Sequence, residues 1–350
     1  MIRPLHPFGA RTRDGAGPLK TGRVGRDSRP EPPGKTAVSI PPPLELPLSP
    51  APGGTALSRC RKAGGDDDPR GLPFEWTLNP YRGCELACTY CYARYSHAFL
   101  GLADPRDFER KIFFKEDLPR LLSKDLERRV LPGQRIAVGT VTDPYQPLER
   151  RREITRSCLR VMARREGLRL SITTKSDLVV RDLDLLRVLA RKGSLHVNLS
   201  LTTLDRRLAR VLEPRAPTPA RRLAALRALA AEGIETGVFL MPILPGLTDA
   251  SGMLEEVVQV SAAAGARYLV PQVLFLREPT RSLWLENLRD RFPALVARYR
   301  TLYADGPHVD GEIREGLLRR VARARRGAGL ADAPTDTGPR DPQLRFSFLA

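Results

Sequence analysis

The chain has 350 residues, of which 41% are hydrophobic and 28% are charged. These values are typical of globular proteins, so they exclude a chain that is disordered throughout. The formal net charge of +18 favours a polyanionic partner such as DNA. Only 8 of the 58 basic residues are lysine. Such an excess of arginine can also come from the base composition of the genome, which would explain the charge equally well.

The cysteines and the apolar segments limit the cellular compartments in which we expect the protein. Five cysteines are too few, and odd in number, for a disulfide framework. Three of them fall close together, which predicts a metal site in a reducing compartment. No run of about 18 apolar residues could span a membrane, and no apolar segment is typical of a secretory signal. We therefore expect a cytoplasmic protein.

Both ends of the chain differ in character from its middle. Residues 1–70 are rich in Pro, Gly and Arg and show no periodicity, which predicts a disordered tail. Residues 328–350 predict a second, flexible tail. Between them we expect a core domain over residues 71–275 and a helical extension over residues 276–327.

In the middle region, short apolar runs alternate with amphipathic stretches, which predicts a parallel sheet covered by helices. The predicted strands cover residues 74–78, 136–140, 168–174, 195–202, 236–241 and 268–273. The predicted helices lie near residues 150–166, 182–192, 203–232, 250–264, 282–303 and 311–326. Six strand–helix units are too few for an eight-stranded barrel, so we expect an α/β fold with a partial (β/α)6 barrel or an open sheet.

The fourth predicted strand alternates in polarity. Its odd positions from 195 to 201 are apolar, and its even positions from 196 to 202 are polar. Parallel strands are normally apolar on both faces because helices cover both. The polar face is therefore predicted to line a wet cavity or a polar ligand. The alternative is an antiparallel sheet with one face in water.

Three cysteines follow the first predicted strand at the spacing C-x3-C-x2-C: Cys84, Cys88 and Cys91. Three neighbouring thiolates bind either zinc or an iron–sulfur cluster. Structural zinc takes four ligands, and the local fourth candidate is His97. A four-iron cluster held by three cysteines leaves one iron open to a small molecule.

This spacing, with Tyr90 just before the last cysteine, resembles the radical S-adenosylmethionine (radical SAM) superfamily. The resemblance implies a [4Fe–4S] cluster held by Cys84, Cys88 and Cys91, with S-adenosylmethionine bound at the open iron. It also implies reductive cleavage to methionine and a 5′-deoxyadenosyl radical that abstracts hydrogen from an unknown substrate. The electron would come from a donor of the flavodoxin or ferredoxin type.

Four further segments resemble the spore photoproduct lyase-like branch, in particular uncharacterised radical SAM proteins of actinobacterial type: residues 79–84, 139–149, 173–176 and 200–203. This resemblance implies DNA photoproduct repair as an alternative function. That lyase returns hydrogen from a cysteine near the end of its second strand, whereas residues 137–142 contain none. Cys158 shares helical spacing with Ile154 and Met162, which predicts a core position. A second alternative is a non-catalytic protein that binds zinc and nucleic acid.

The resemblance also implies roles for residues at the carboxyl ends of the strands. Lys175 would contact the methionyl carboxylate, and its alternative is a solvated surface lysine. Ser200 would reach the ribose or the methionyl group, with a satisfied inner-face hydroxyl as its alternative. Thr140 and Asp143 would contact amino or hydroxyl groups, although Asp before Pro also starts turns.

Other candidates for ligand contact are aromatic or apolar. Tyr90 is expected near the cofactor. Pro242 and Leu244 would pack against adenine, and their alternative is a Pro–Gly turn before the next helix. Tyr145 is a candidate radical relay, with a structural phenol as the alternative.

Arginine clusters and the C-terminus carry the signals for nucleic-acid partners. Clusters at residues 150–156 and 314–326 could neutralise phosphates, or they could be solvated helix faces. The segment Gln343–Phe348 resembles the short peptide by which bacterial repair proteins hold the sliding clamp.

Overall fold

The computed structural model describes residues 42–47, 54–60 and 72–335. In these residues the strands are β1 (Leu44–Pro47), β2 (Leu57–Arg59), β3 (Trp76–Leu78), β4 (Tyr81–Arg82), β5 (Lys111–Phe114), β6 (Arg135–Val138), β7 (Arg169–Thr174), β8 (Ser194–Ser200), β9 (Glu235–Ile243) and β10 (Tyr268–Val273). The α-helices are α1 (Asp107–Arg110), α2 (Leu118–Arg128), α3 (Glu149–Arg152), α4 (Ile154–Met162), α5 (Leu183–Lys192), α6 (Arg206–Leu212), α7 (Pro219–Ala231), α8 (Met253–Ala263), α9 (Thr280–Arg291), α10 (Val296–Leu302) and α11 (Gly311–Gly327). Short 3-10 helices cover Tyr92–Leu100, Asp177–Asp182 and Pro293–Leu295.

The main sheet has seven strands in the order β10-β9-β8-β7-β6-β3-β2. The six strands from β3 to β10 pair in parallel, so the antiparallel alternative is wrong. Helices separate successive strands, and in the described part of the chain the sheet has two free ends rather than a closed seam. This arrangement confirms the predicted α/β fold with a partial barrel.

The polarity of the strands explains which face carries the site. In β8 the polar residues His196, Asn198 and Ser200 are buried, like their apolar neighbours. They face a cavity, whereas α5 and α7 contact the strand from outside. The prediction that the polar face lines a cavity is confirmed.

Within residues 1–70, for which a disordered tail was predicted, two short segments form strands. Strand β1 pairs in parallel with β5, and β2 pairs antiparallel with β3. The backbone N–H groups of Ala56 and Leu57 donate to Asp125 Oδ2 at 2.8 and 2.9 Å. The partners of these strands lie far away in sequence, so local composition could not reveal them. The other residues of this range lie outside the described ones.

The predicted C-terminal tail also begins with defined contacts. Leu330 is buried, and Ala331 forms a bridge with Tyr268 at the start of β10. Thr335 N donates to Glu235 Oε1 at 2.8 Å. The start of this range therefore contacts the main sheet, while the clamp-like segment Gln343–Phe348 lies outside the described residues. Upstream, helices α9 to α11 occupy the predicted helical extension.

Candidate functional site

The cysteine loop begins directly after β4. Gly83 has a φ of +84°, and a Cβ there would lie 2.7 Å from the carbonyl oxygen of Phe108. Only glycine fits this combination of left-handed backbone and close packing. Within the loop, Cys91 N donates to Cys88 O at 3.2 Å. The thiols of Cys84, Cys88 and Cys91 are all free.

The segment after β6 braces this loop. Thr142 Oγ1 donates to Gly83 O at 2.6 Å, and Gln146 Oε1 accepts from Glu85 N at 2.8 Å. Leu148 N donates to Glu85 Oε2 at 2.5 Å. The polar residues of segment 139–149 therefore hold the loop in place, a function that the sequence pattern alone did not indicate.

A cavity of about 280 Å³ opens on the cysteine loop and runs along the polar face of the sheet. It brings together most of the predicted site residues: Cys84, Cys88, Tyr90, Cys91, Thr140, Asp143, Lys175, Ser200 and Pro242. Leu244 and Tyr145 do not line it. Both side chains are fully buried elsewhere, so the structure favours the structural alternatives for these two residues.

Lys175 directly follows β7, and it lines the cavity. Its side chain is only 16% exposed, and Nζ lies 4.0 Å from Glu213 Oε1 and 5.8 Å from the centre of the Tyr90 ring. Burial alone would lower the pKa of Lys175, but electrostatic interactions with Cys88 and Glu213 raise it above its ordinary value. The low exposure of the side chain shows that Lys175 is not a solvated surface residue.

Asp143 and Thr140 already have protein partners. Asp143 accepts hydrogen bonds from Thr174 Oγ1 at 2.6 Å and from Lys175 N at 2.7 Å. Asp143 therefore fixes the backbone at Lys175. Thr140 Oγ1 accepts from Asn79 Nδ2 at 3.0 Å. Both residues organise the cavity wall between β6 and β7.

A buried cluster around Glu213 lies next to Lys175, and no sequence motif predicted it. Glu213 forms an ion pair with Arg222 and accepts hydrogen bonds from the hydroxyls of Tyr90 and Thr202. Tyr90 is 123 positions away from Glu213, so no local motif could mark this contact. The cluster also acts on Cys88, because Lys175 lowers and Glu213 raises the pKa of its thiol.

The three thiols have raised pKa values. Burial raises the pKa of Cys88 to about 12, although the Lys175 ammonium opposes the shift. Burial also raises the pKa of Cys84 and of Cys91. Thiols in such surroundings become thiolates when a metal cation binds, and thiolate is the ligand that iron–sulfur clusters take.

The described residues hold no group of three or more His, Cys, Asp or Glu side chains that could bind a single metal ion. A [4Fe–4S] cluster makes a different demand, because each thiolate binds its own iron and the sulfurs need not converge on one point. The three thiols on one cavity wall fit that demand. His97, the suggested fourth zinc ligand, instead lies with Nε2 3.0 Å from Lys111 O and does not line the cavity.

Residues 78–258 match the family model of the radical SAM superfamily. The chain belongs to this superfamily. It is 39% identical over 251 residues to the uncharacterized protein Rv2578c of Mycobacterium tuberculosis, an alignment that covers 72% of this chain and 74% of the relative. It is 33% identical over 182 residues to the uncharacterized protein MJ0683 of Methanocaldococcus jannaschii, covering 52% and 65%.

Solved structures of a radical SAM enzyme share the fold. A mutant spore photoproduct lyase with bound AdoMet and dinucleoside spore photoproduct superposes with a TM-score of 0.54 and 19% identity over 73% of this chain and 75% of that one. Another mutant of that lyase gives a TM-score of 0.57 with 17% identity over 82% and 80%. At these identities the likeness concerns the fold.

The other two cysteines of this radical SAM protein lie away from the cavity, and one arginine of each predicted cluster pairs with a carboxylate. Cys158 is buried in α4, as predicted, and neither it nor Cys60 lines the cavity. From the first arginine cluster, Arg156 pairs with Asp182 at 2.6 Å. From the second, Arg320 pairs with Glu255 at 3.1 Å. No helix among the described residues is long and apolar enough to cross a membrane.

Proposed function

We propose that this protein is a radical SAM enzyme whose Cys84, Cys88 and Cys91 hold a [4Fe–4S] cluster. The observation that carries the proposal is that three free, largely buried thiols open on one cavity together with the Lys175 ammonium. When bound, such a cluster would supply the electron for reductive cleavage of S-adenosylmethionine to methionine and a 5′-deoxyadenosyl radical, which would take hydrogen from a substrate. The protein itself would hold the cluster, the cofactor and the substrate in the cavity.

The residues of the cavity wall bind and orient the cofactor. The Lys175 ammonium binds the methionyl carboxylate as a point charge, held by the hydrogen bond from its own N–H to Asp143. The Ser200 hydroxyl would reach the ribose or the methionyl group, the Thr140 hydroxyl would contact amino or hydroxyl groups, and Pro242 would pack against adenine. Burial of the wall excludes water, which protects a reactive radical from side reactions.

Two external partners follow from this chemistry. A one-electron donor of the flavodoxin or ferredoxin type would reduce the cluster. The free thiols fit the reducing environment of the cytoplasm, where we expect the protein to act. The substrate is identified by transfer of deuterium from labelled candidates into 5′-deoxyadenosine. Damaged DNA is the first candidate to test, because a spore photoproduct lyase has the same fold.

The test of the cluster uses anaerobic reconstitution. The brown wild-type protein should hold about four irons per chain and should form 5′-deoxyadenosine when reduced with S-adenosylmethionine. Cys88→Ala should abolish product formation, whereas the control Cys158→Ala should retain it. A colourless wild-type protein with one bound zinc, or an active Cys88→Ala variant, would contradict the proposal.

The test of the cofactor site uses Lys175→Ala. Loss of a hydrogen bond to a charged group costs about 1.5–3 kcal/mol, which corresponds to roughly a 10- to 100-fold weaker affinity for S-adenosylmethionine. Lys192→Ala, a change in an exposed lysine of α5, is the control and should keep the wild-type affinity. Equal dissociation constants for Lys175→Ala and wild type would remove the residue from the cofactor site.

A further inference from the structure

Glu213 is a buried carboxylate where several elements of the barrel meet. It lies between α6 and α7 and is 2% exposed. It receives the hydroxyl of Tyr90 from the cysteine loop and, at 3.0 Å, the hydroxyl of Thr202 that follows β8. Arg222 of α7 pairs with it, and Lys175 Nζ lies 4.0 Å away on the cavity side. One carboxylate therefore links the cysteine loop to the lysine.

The charges of this cluster do not cancel. A buried carboxylate is costly unless it is paired, and Arg222 pairs with it directly. Arg222 is itself fixed, because Nη1 donates to Ser200 O at 3.1 Å and Nε donates to Pro217 O at 2.9 Å. Two cations and one carboxylate leave one net positive charge. Since Arg222 makes the direct contact with Glu213, Lys175 keeps its capacity to bind an anion in the cavity.

The same carboxylate fixes the surface on which Lys175 lies. Tyr90 stands between two of the cysteines in the chain, and its hydroxyl donates to Glu213. Its ring lies under the ammonium, 5.8 Å from Nζ, within the range of a cation–π contact. Glu213 thus restrains Lys175 by charge and, through Tyr90, by contact.

We infer that Glu213 is a positioning residue that sets the Lys175 ammonium toward the carboxylate of S-adenosylmethionine. The inference rests on the proposed function. It concerns affinity and orientation: Glu213 itself touches neither the cofactor nor the reacting atoms. Removing its charge should free the lysine to take other rotamers, so that fewer molecules present the ammonium in the binding position.

The experiment is a double-mutant cycle with Glu213→Gln and Lys175→Ala in the reconstituted protein. Calorimetry gives the dissociation constant for S-adenosylmethionine, and 5′-deoxyadenosine formation gives KM and kcat separately. Glu213→Gln should weaken binding roughly tenfold and should raise KM more than it lowers kcat. In the Lys175→Ala background the same change should alter the dissociation constant less than about twofold, because coupled residues are not additive.

Two further variants keep the test decisive. Asp182→Asn also alters a fully buried carboxylate that pairs with arginine, but this residue does not line the cavity; it should leave the affinity unchanged. If Glu213→Gln does not fold because Arg222 is left unpaired, the double change Glu213→Gln with Arg222→Gln removes both charges and should weaken binding in the same way.

The outcomes separate the inference from the proposed function. Wild-type affinity in the Glu213 variants, or an equal loss with and without Lys175, would overturn the positioning role. A wild-type protein that takes up the cluster but forms no 5′-deoxyadenosine would instead overturn the proposed function, whatever the Glu213 variants do.

Discussion

The N-terminal strand β2 should contribute measurably to stability, and Leu57→Ala tests this. Leu57 is fully buried, pairs with Leu78 of β3 and donates its N–H to Asp125. Truncating a fully buried leucine to alanine costs about 2–5 kcal/mol in the free energy of unfolding. The matched control is Leu44→Ala in β1, where the side chain is 57% exposed and the change should stay within about 0.5 kcal/mol.

The assay is urea unfolding followed by tryptophan fluorescence. Trp76 is a local reporter, because it lies in β3 opposite Arg59 of β2. Both variants are measured without cofactor, so that binding does not contribute to the free energy. A free energy of unfolding for Leu57→Ala within about 0.5 kcal/mol of wild type would show that residues 57–59 do not belong to the folded core.

Two other predictions concern a glycine and a carboxylate. Gly83→Ala should lower the free energy of urea unfolding by more than the control Gly101→Ala. A Cβ at Gly101 meets nothing within 4 Å, so the control bears only the left-handed backbone cost of about 1–2 kcal/mol. Equal losses in the two variants would refute the close packing at Gly83. Burial raises the pKa of Glu235, but His196, with Nε2 3.5 Å from Oε2, and two hydrogen bonds from Thr335 hold it at about 2, below its ordinary 4.5. The stability that this carboxylate contributes is present above pH 4.5 and is lost as the pH falls toward 2. In pH-dependent unfolding, Glu235→Gln should therefore lose less free energy of unfolding over that window than the wild type. An equal loss in both proteins would contradict the assignment.

The sequence predicted the regular part of the fold because that part is encoded locally. Apolar and polar positions alternate along β8, and this pattern placed the cavity on the correct face of the sheet. No local pattern predicted an element between residues 92 and 128, where α1, β5 and α2 lie. Strand β5 is only four residues long and depends on pairing with β1 and β4, which a local pattern cannot show.

The candidate site divides in the same way. Cys84, Cys88, Cys91 and Lys175 are marked by spacing or by an unusual residue choice, and the structure brings them to one cavity. Glu213 carries no such mark, because its role depends on partners from four other segments. The family resemblance implied that Leu244, like Pro242, packs against adenine. In the structure the Leu244 N–H donates to Thr248 Oγ1 at 2.8 Å in the turn that leads toward α8, and the side chain is buried in the core.

The net charge of +18 does not mark a binding face by itself. Arg156 contacts both Asp182 and Asp184, and Arg222 is buried against Glu213. Such arginines compensate acidic groups within the protein, so they cannot also neutralise phosphates without breaking those pairs. A polyanionic substrate would have to be recognised by arginines that keep their charge available at the cavity mouth. The position of a cation, rather than the total charge, therefore carries the functional information, and Lys175 beside the cysteine loop is the clearest instance of it.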